Sequence, residues 1–191
     1  MSVEDLAGLI PEIRGHFEFE SGHHGDTWLE LERLFLDPAR VKPLAEALGQ
    51  RVAAHSPDVI CGPLTEGAFL GLLVASGLGT PFCYTKREVT DGGVQYRLPK
   101  AFWKEVEGKR VAIVDDVVNA GSAIEASSKA LEEAGANVVA VGALVTYGNA
   151  ALEIAGARDA QLEALAQKPT RIWEASSCPL CARGVPLERR A

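Results

Sequence analysis

Residues Arg110 to Ile124 read R-V-A-I-V-D-D-V-V-N-A-G-S-A-I, and this stretch decides the fold. Val111, Ala112, Ile113 and Val114 form a short unbroken apolar run, the pattern of a parallel strand buried on both faces. Asp115 and Asp116 follow, then a small-residue turn, Asn119-Ala120-Gly121-Ser122, that opens a helix. Such a turn aims several backbone N–H groups at one point, and the helix dipole favours an anion there. An N-cap at Ser122 and a polar strand end account for one aspartate but not for two. Adjacent carboxylates at the end of a buried strand repel unless something neutralises them. Here they are placed to accept hydrogen bonds from sugar hydroxyls or to hold a hydrated Mg²⁺. Phosphate, diol and metal together describe a phosphorylated sugar.

The same strand–turn–helix rhythm extends outward. Val59 to Cys61 reads as a strand, Gly62 to Gly67 as a tight loop, and Ala68 to Ser76 as a helix stopped by Gly77. Pro81 to Thr85 is a second strand and Val111 to Val114 a third. Ala123 to Ala134 is its helix, stopped by Gly135, and Val138 to Thr146 is a fourth strand. Alternation of this kind implies a parallel sheet with helices on both faces and ligands at the carboxyl ends of its strands. The loops after Cys61, Thr85 and Val114 then converge on one crevice. Upstream, Pro38 to His55 is an amphipathic helix with Val41, Leu44, Ala45, Leu48 and Val52 on one face. Val3 to Arg14 has helical apolar spacing, and Phe17–Glu20 and Thr27–Leu31 alternate as short half-buried strands around a turn. Lys86 to Lys104 lacks periodicity and reads as a long mobile loop. Near the end, Leu162 to Gln167 reads as a short helix, Arg171 to Trp173 as a strand, and the tail as a Cys-bearing turn.

Composition limits the function classes. The chain has 191 residues, 47% hydrophobic and 24% charged, and a net charge of −7, the profile of one soluble globular domain. That charge speaks against a general nucleic-acid or membrane-surface binder. No apolar run reaches transmembrane length and the start M-S-V-E-D lacks the basic onset of a secretory signal, so a cytoplasmic location is expected. Among four cysteines, Cys61 and Cys83 lie in apolar runs and read as small buried hydrophobes. Cys178-Pro-Leu-Cys181 has the spacing of a zinc half-site, and reads equally as a structural turn or a redox pair. A tetrahedral site needs two further ligands, with His16, His23, His24 and His55 as candidates if the fold brings them near, or a second subunit's pair.

The Arg110–Ile124 stretch resembles the phosphoribosyl-pyrophosphate (PRPP) motif of type I phosphoribosyltransferases, with Asn119 where Thr is usual. Over about residues 15 to 147 the order and spacing resemble the orotate phosphoribosyltransferases. F-E-F-E-S-G-H-H-G-D-T-W-L is similar to their N-terminal segment, C-G-P-L-T-E-G to their pyrophosphate loop, and P-F-C-Y-T-K-R-E to the entry of their catalytic loop. The resemblance implies an α/β fold, a parallel Rossmann-like sheet flanked by helices. A small hood comes from the N-terminal segment and the C-terminal tail. It divides one domain, 1–191, into a hood (about 1–36), a core (about 37–150) and a C-terminal extension (about 151–191). The activity it implies is Mg²⁺-dependent transfer of the phosphoribosyl group of PRPP to orotate, by a homodimer with no nucleic-acid or membrane partner. Another base, or a non-catalytic PRPP or nucleotide sensor on the same fold, stays open.

By position, the resemblance assigns Asp115, Asp116, Val117, Val118, Asn119, Ala120, Gly121, Ser122 and Ala123, with Thr65 and Glu66, to PRPP. Asp115 and Asp116 then meet the metal indirectly, through Mg-PRPP. Lys86 and Arg87 face the pyrophosphate, by a reach into the neighbouring subunit's site, and Trp28, Leu29 and Asn119 face the base. Several positions depart from the family pattern. Glu20 and Thr90 stand where lysines are expected, Glu66 where Lys or Gly is common, and Gly92 where a histidine is expected. Tyr147-Gly148 replaces the arginine that pairs with orotate's carboxylate. Arg97, Lys100 and Lys104 are candidates to restore the lost positive charge, and His23 and His24 are candidate contacts to pyrophosphate or base.

Overall fold

A computed structural model describes residues 12–19, 21–90, 93–169 and 171–189. Its centre is a six-stranded sheet in the order β5-β4-β3-β6-β7-β8. The strands are β3 (Val59–Pro63), β4 (Phe82–Thr90), β5 (Gly93–Arg97), β6 (Arg110–Val118), β7 (Asn137–Tyr147) and β8 (Gln161–Lys168). All neighbours are parallel except the β4–β5 hairpin at one edge. From β3 the chain adds β4 on one side, then β6 on the other, so the strand order reverses between β3 and β6. A crevice opens at the carboxyl ends of strands flanking such a reversal, here between the end of β3 and the end of β6.

The apolar run that opened the sequence reading is buried on both faces because helices cover both. Ala112 and Val114 belong to one core with Leu44, Leu48, Leu70 and Val74, while Val111 and Ile113 belong to the other with Ile124, Leu131 and Ala155. The first core is supplied by α2 (Pro38–Ala53) and α3 (Glu66–Leu78), after the short α1 (Leu31–Phe35). The second is supplied by α5 (Ser122–Glu133) and α6 (Ala150–Gly156), with α4 (Trp103–Val106) beside them. A strand alternates its side chains between faces, so a continuous apolar run feeds two cores at once.

A second, four-stranded sheet has the order β10-β1-β2-β9. It joins β1 (Glu12–Glu18) and β2 (His24–Leu29) to two-residue strands from the tail, β9 (Ile172–Trp173) and β10 (Glu188–Arg189). The one-turn helix α7 (Pro179–Ala182) lies between those tail strands. This is the expected hood, and both ends of the chain build it.

The structure corrects several elements. Residues 12–14, read as the end of a helix, lie in β1, paired to β2; residues 3–11 of that reading, with Glu20 and Gly92, fall outside the described residues. Leu31 starts α1 rather than ending a strand. Lys86–Lys104 is not one loop: β4 runs on to Thr90 and turns back as β5, followed by a 3₁₀ turn (Lys100–Phe102) and α4. Residues 86–89 are exposed on both faces, so no alternation marks them as a strand. Residues 162–167 form β8, not a helix. Leu, Glu, Ala and Gln favour a helix weakly, and pairing with the buried edge of β7 overrides that preference. Helix α3 runs through Gly77 to Leu78 and ends at Gly79 in the left-handed region (φ 67°), whose N–H donates to Ala75 O. Asp115 and Asp116 lie within β6 rather than after it.

Candidate functional site

The crevice at the β3/β6 reversal is lined by Asp115, Val117, Val118, the Asn119–Ala123 turn and Ile124, and on the hood side by Phe19, Ser21 and Trp28. The sequence assignments from Val117 to Ala123 therefore meet in one cleft. Gly121 makes the turn possible. Its φ is 80°, and a Cβ there would sit 2.3 Å from Ile154 Cδ1 on α6. No side chain caps the N-terminus of α5, so the first N–H groups of that helix keep their donor capacity for a ligand.

Asp115 and Asp116 are buried and folded onto their own backbone. Asp115 Oδ1 accepts from the N–H of Asp116 at 3.0 Å, and Asp116 Oδ1 accepts from the N–H of Val117 at 2.7 Å. Burial, then the neighbouring Asp116 charge, pushes the Asp115 carboxyl well above the usual range. Burial also pushes Asp116 up to about 6, against the backbone N–H of Val117, which lowers it. Glu66, the first residue of α3, adds to both shifts through its charge. The start of α3 presses on Asp115: a Cβ on Gly67 would lie 2.3 Å from Asp115 Oδ1. Thr65 is the N-cap of α3, its carbonyl accepting from the N–H groups of Ala68 and Phe69. Asp115, which lines the cleft, thus has the acidic groups of Asp116 and Glu66 near it, a donor set that suits a divalent cation or a ligand carrying one.

Not every predicted residue arrives there. Leu29 is buried in the core with Leu34 and Leu44, because the pleat sends it opposite to Trp28. Trp28 lines the cleft and stacks on Phe19, ring centroids 6.0 Å apart at 7°. Phe19 and Ser21 were not singled out in the sequence, although the repeated aromatic of F-E-F was a signal for the first. Lys86 and Arg87 do not line this cleft within one chain. They lie on exposed β4, where Lys86 Nζ sits 6.0 Å over the Tyr84 ring and lines a separate cleft with Glu88, Tyr96, Arg97 and Lys100. Arg97 pairs with Glu88 at 2.8 Å. Tyr147 packs its ring into the core beneath the hood, with its hydroxyl buried and without a hydrogen-bond partner among the described residues.

The histidines separate. His55 meets Glu163 at 2.7 Å and His23 meets Ser21 Oγ at 3.0 Å. His16 and His24 instead come together with Cys178 and Cys181, their ligand atoms all within 4.8 Å of one another. Two hood strands and the tail turn meet there. Among the described residues no helix is long and apolar enough to cross a membrane.

Comparison with known proteins agrees with this architecture. The phosphoribosyl transferase domain model matches residues 31–161. The chain is 32% identical over 184 residues to an orotate phosphoribosyltransferase of a Nitratiruptor species, covering 90% of this chain and 88% of that protein. It is 29% identical over 177 residues to the orotate phosphoribosyltransferase of Thermotoga maritima, covering 93% and 90%. Among solved structures, an adenine phosphoribosyltransferase from Thermoanaerobacter pseudethanolicus shares the fold (TM-score 0.69, 21% identity, 87% of this chain and 99% of that one). An orotate phosphoribosyltransferase from Aeropyrum pernix matches with TM-score 0.64 and 25% identity over 85% of this chain and 93% of that one.

Proposed function

The chain belongs to the orotate phosphoribosyltransferase family of phosphoribosyl transferases, and from that premise we propose that it makes orotidine 5′-monophosphate from orotate and PRPP. The observation that carries this reading is the cleft at the end of β6. It sets the buried Asp115 carboxyl, with Asp116 buried next to it, an uncapped helix N-terminus and an aromatic hood wall around one volume. In this reading the ribose diol is held by Asp115 and Asp116, and the 5-phosphate by the N–H groups from Asn119 to Ala123 with the Ser122 hydroxyl. The base lies against Trp28 and Phe19, beside Asn119. The start of α3, with Thr65 and Glu66, faces the pyrophosphate.

A ring nitrogen of orotate bonds to the anomeric carbon of the ribose and gives up its proton to the leaving pyrophosphate or to water, as the carbon–oxygen bond to pyrophosphate breaks with its electron pair leaving on the pyrophosphate. Mg²⁺ fits the acidic end of the cleft, where Asp115, Asp116 and Glu66 would meet it through the bound substrate. When bound it neutralises charge on the leaving pyrophosphate. The protein's own part is to hold the ribose, keep its phosphate fixed and shield the reacting carbon from water.

Lys86 and Arg87 serve the pyrophosphate from a neighbouring subunit in this reading; in their own chain they are exposed on the β4–β5 hairpin and do not line the cleft. The working form is then a homodimer, built from one functional domain over 1–191 and located in the cytoplasm. Its partners are small molecules rather than nucleic acid or membrane. The test is pyrophosphate release from Mg-PRPP across a panel of bases. Turnover with orotate supports the proposal; turnover with another base alone, or PRPP binding without turnover, overturns it.

A further inference from the structure

We propose that His16, His24, Cys178 and Cys181 bind one Zn²⁺ ion that fastens the C-terminal tail to the hood strands. The case begins with distances. His16 Nε2 lies 3.1 Å from His24 Nδ1, 3.4 Å from Cys178 Sγ and 3.7 Å from Cys181 Sγ, and Cys181 Sγ lies 3.2 Å from His24 Nδ1. A tetrahedral zinc with bonds of about 2.3 Å to sulfur and about 2.0 Å to nitrogen sets its ligands about 3.3 Å apart for N···N and about 3.5 Å for S···N. Those four separations are close to the edges of that polyhedron, and all four ligand atoms lie within 4.8 Å of one another.

Hydrogen bonding alone does not account for the cluster. His16 Nδ1 donates to the carbonyl of Val185 at 2.8 Å, so neutral His16 presents one lone pair, at Nε2. That single lone pair faces three neighbours at contact distance. A cation at the centre resolves the conflict, and the Val185 carbonyl is the kind of outer contact that fixes a metal-bound imidazole in its tautomer. Two thiolates and two neutral imidazoles balance the charge of Zn²⁺, which suits a site where His16, His24 and Cys178 are buried. Both cysteines are free of disulfides. Four protein ligands leave no open position, so the site is structural rather than catalytic.

The hood has need of such a tie. Its tail strands, β9 and β10, are two residues each, and the β10–β1 ladder spans Phe17↔Glu188 and Glu18↔Arg189, with an exposed Arg189–Glu18 ion pair beside it. Strands this short bury too little to hold a chain end in place. The metal joins His16 on β1, His24 on β2 and the turn at α7. The same β1–β2 unit carries Phe19, Ser21 and Trp28 at the lip of the cleft. The ion thereby sets the wall against which a ligand in that cleft would rest.

The test needs no activity. The full-length chain is purified without added zinc or chelator and its metal content measured by mass spectrometry, with an expected stoichiometry of about one zinc per chain. Replacing the metal by Co²⁺ in the unsubstituted chain should give the visible d–d absorption of a tetrahedral site and a thiolate charge-transfer band. Cys178→Ser and His16→Ala should each lower the retained zinc at least about tenfold. Protein that retains no zinc and no cobalt spectrum overturns the proposal, as does a Cys178–Cys181 disulfide as the native form. Zinc retention unaffected by His16→Ala overturns the four-ligand assignment.

Discussion

The cleft has two walls held by opposite physics. The β6 wall grows out of nine residues of strand flanked by two apolar cores, so its functional groups stand on a scaffold that no ligand is needed to complete. The hood wall stands on a small sheet whose outer strands are two residues long, joined by a knot of histidines and cysteines. One wall is fixed by hydrophobic burial and charged against itself by paired carboxyls. The other is polar at its centre, where His16, His24, Cys178 and Cys181 meet. On the proposed reading the ribose and phosphate contacts stand on the rigid wall and the ligand-covering side on the proposed zinc tie.

The largest expected effect is on the β6 wall. Asp115→Asn with Asp116→Asn should weaken Mg-PRPP binding at least about 100-fold by calorimetry, since each lost charge-assisted contact weighs heavily. The fold should not suffer. Carboxyls whose folded pKa is raised, as both are here, bind more protons folded than unfolded between the ordinary aspartate range and the raised value, which for Asp116 is about 6. Stability therefore falls as pH rises through that window, and stays reduced above it. The doubly substituted chain should melt at or above the parent temperature at neutral pH, and the difference should close towards about pH 4. Undiminished affinity would break the assignment of this wall to PRPP.

Next comes the tie. Stripping zinc should raise hydrogen exchange in 12–29 and 172–189 at least about 30-fold while β3, β6 and β7 keep their protection. Equal loosening of both sheets would erase the distinction between the walls.

A glycine pair sharpens the contrast further. Gly121→Ala meets both the left-handed φ and Ile154 Cδ1 at 2.3 Å, and should cost about 1–3 kcal/mol by denaturant unfolding. Gly22→Ala in the hood turn has a similar φ, 77°, with nothing within 4 Å. It should cost only about 1 kcal/mol.

The smallest effect is a titration. Because binding a cation-bearing ligand requires the ionised carboxyls, affinity for Mg-PRPP should rise about tenfold from about pH 5 to 7 as Asp116 titrates near 6, and should level only once Asp115, also raised, has ionised. A flat profile, after correction for the titration of PRPP itself, would place the ligand away from this carboxyl.

Much of the core was legible because its strands are continuous apolar runs and its helices repeat at helical spacing. Val111–Val114, Leu44–Val52 and Ile124–Leu131 all carried their own signal. The hairpin at Lys86–Arg97 and the strand at 161–168 did not. One is exposed on both faces and the other is an edge strand written in helix-forming residues. The cleft divides the same way. The turn from Asn119 to Ala123 was legible residue by residue, because a tight turn that opens a helix is a local backbone structure. Leu29 and Trp28 are adjacent in sequence, and the pleat sent one to the core and one to the cleft.

By itself, then, the sequence determined the α/β class, the strand that bears Asp115 and Asp116, the turn that follows and the spacing of Cys178 and Cys181. These are properties of neighbouring residues, set by periodicity, turn chemistry and short-range geometry. Only the tertiary structure decided that Lys86 and Arg87 leave their own chain's cleft, and that Phe19 and Ser21 enter it. It also decided which two of four histidines complete the cysteine pair, across separations of 162 residues for His16 and 157 for His24. Contacts at such distances depend on where two sheets come to rest against each other, and no local pattern in the chain encodes that.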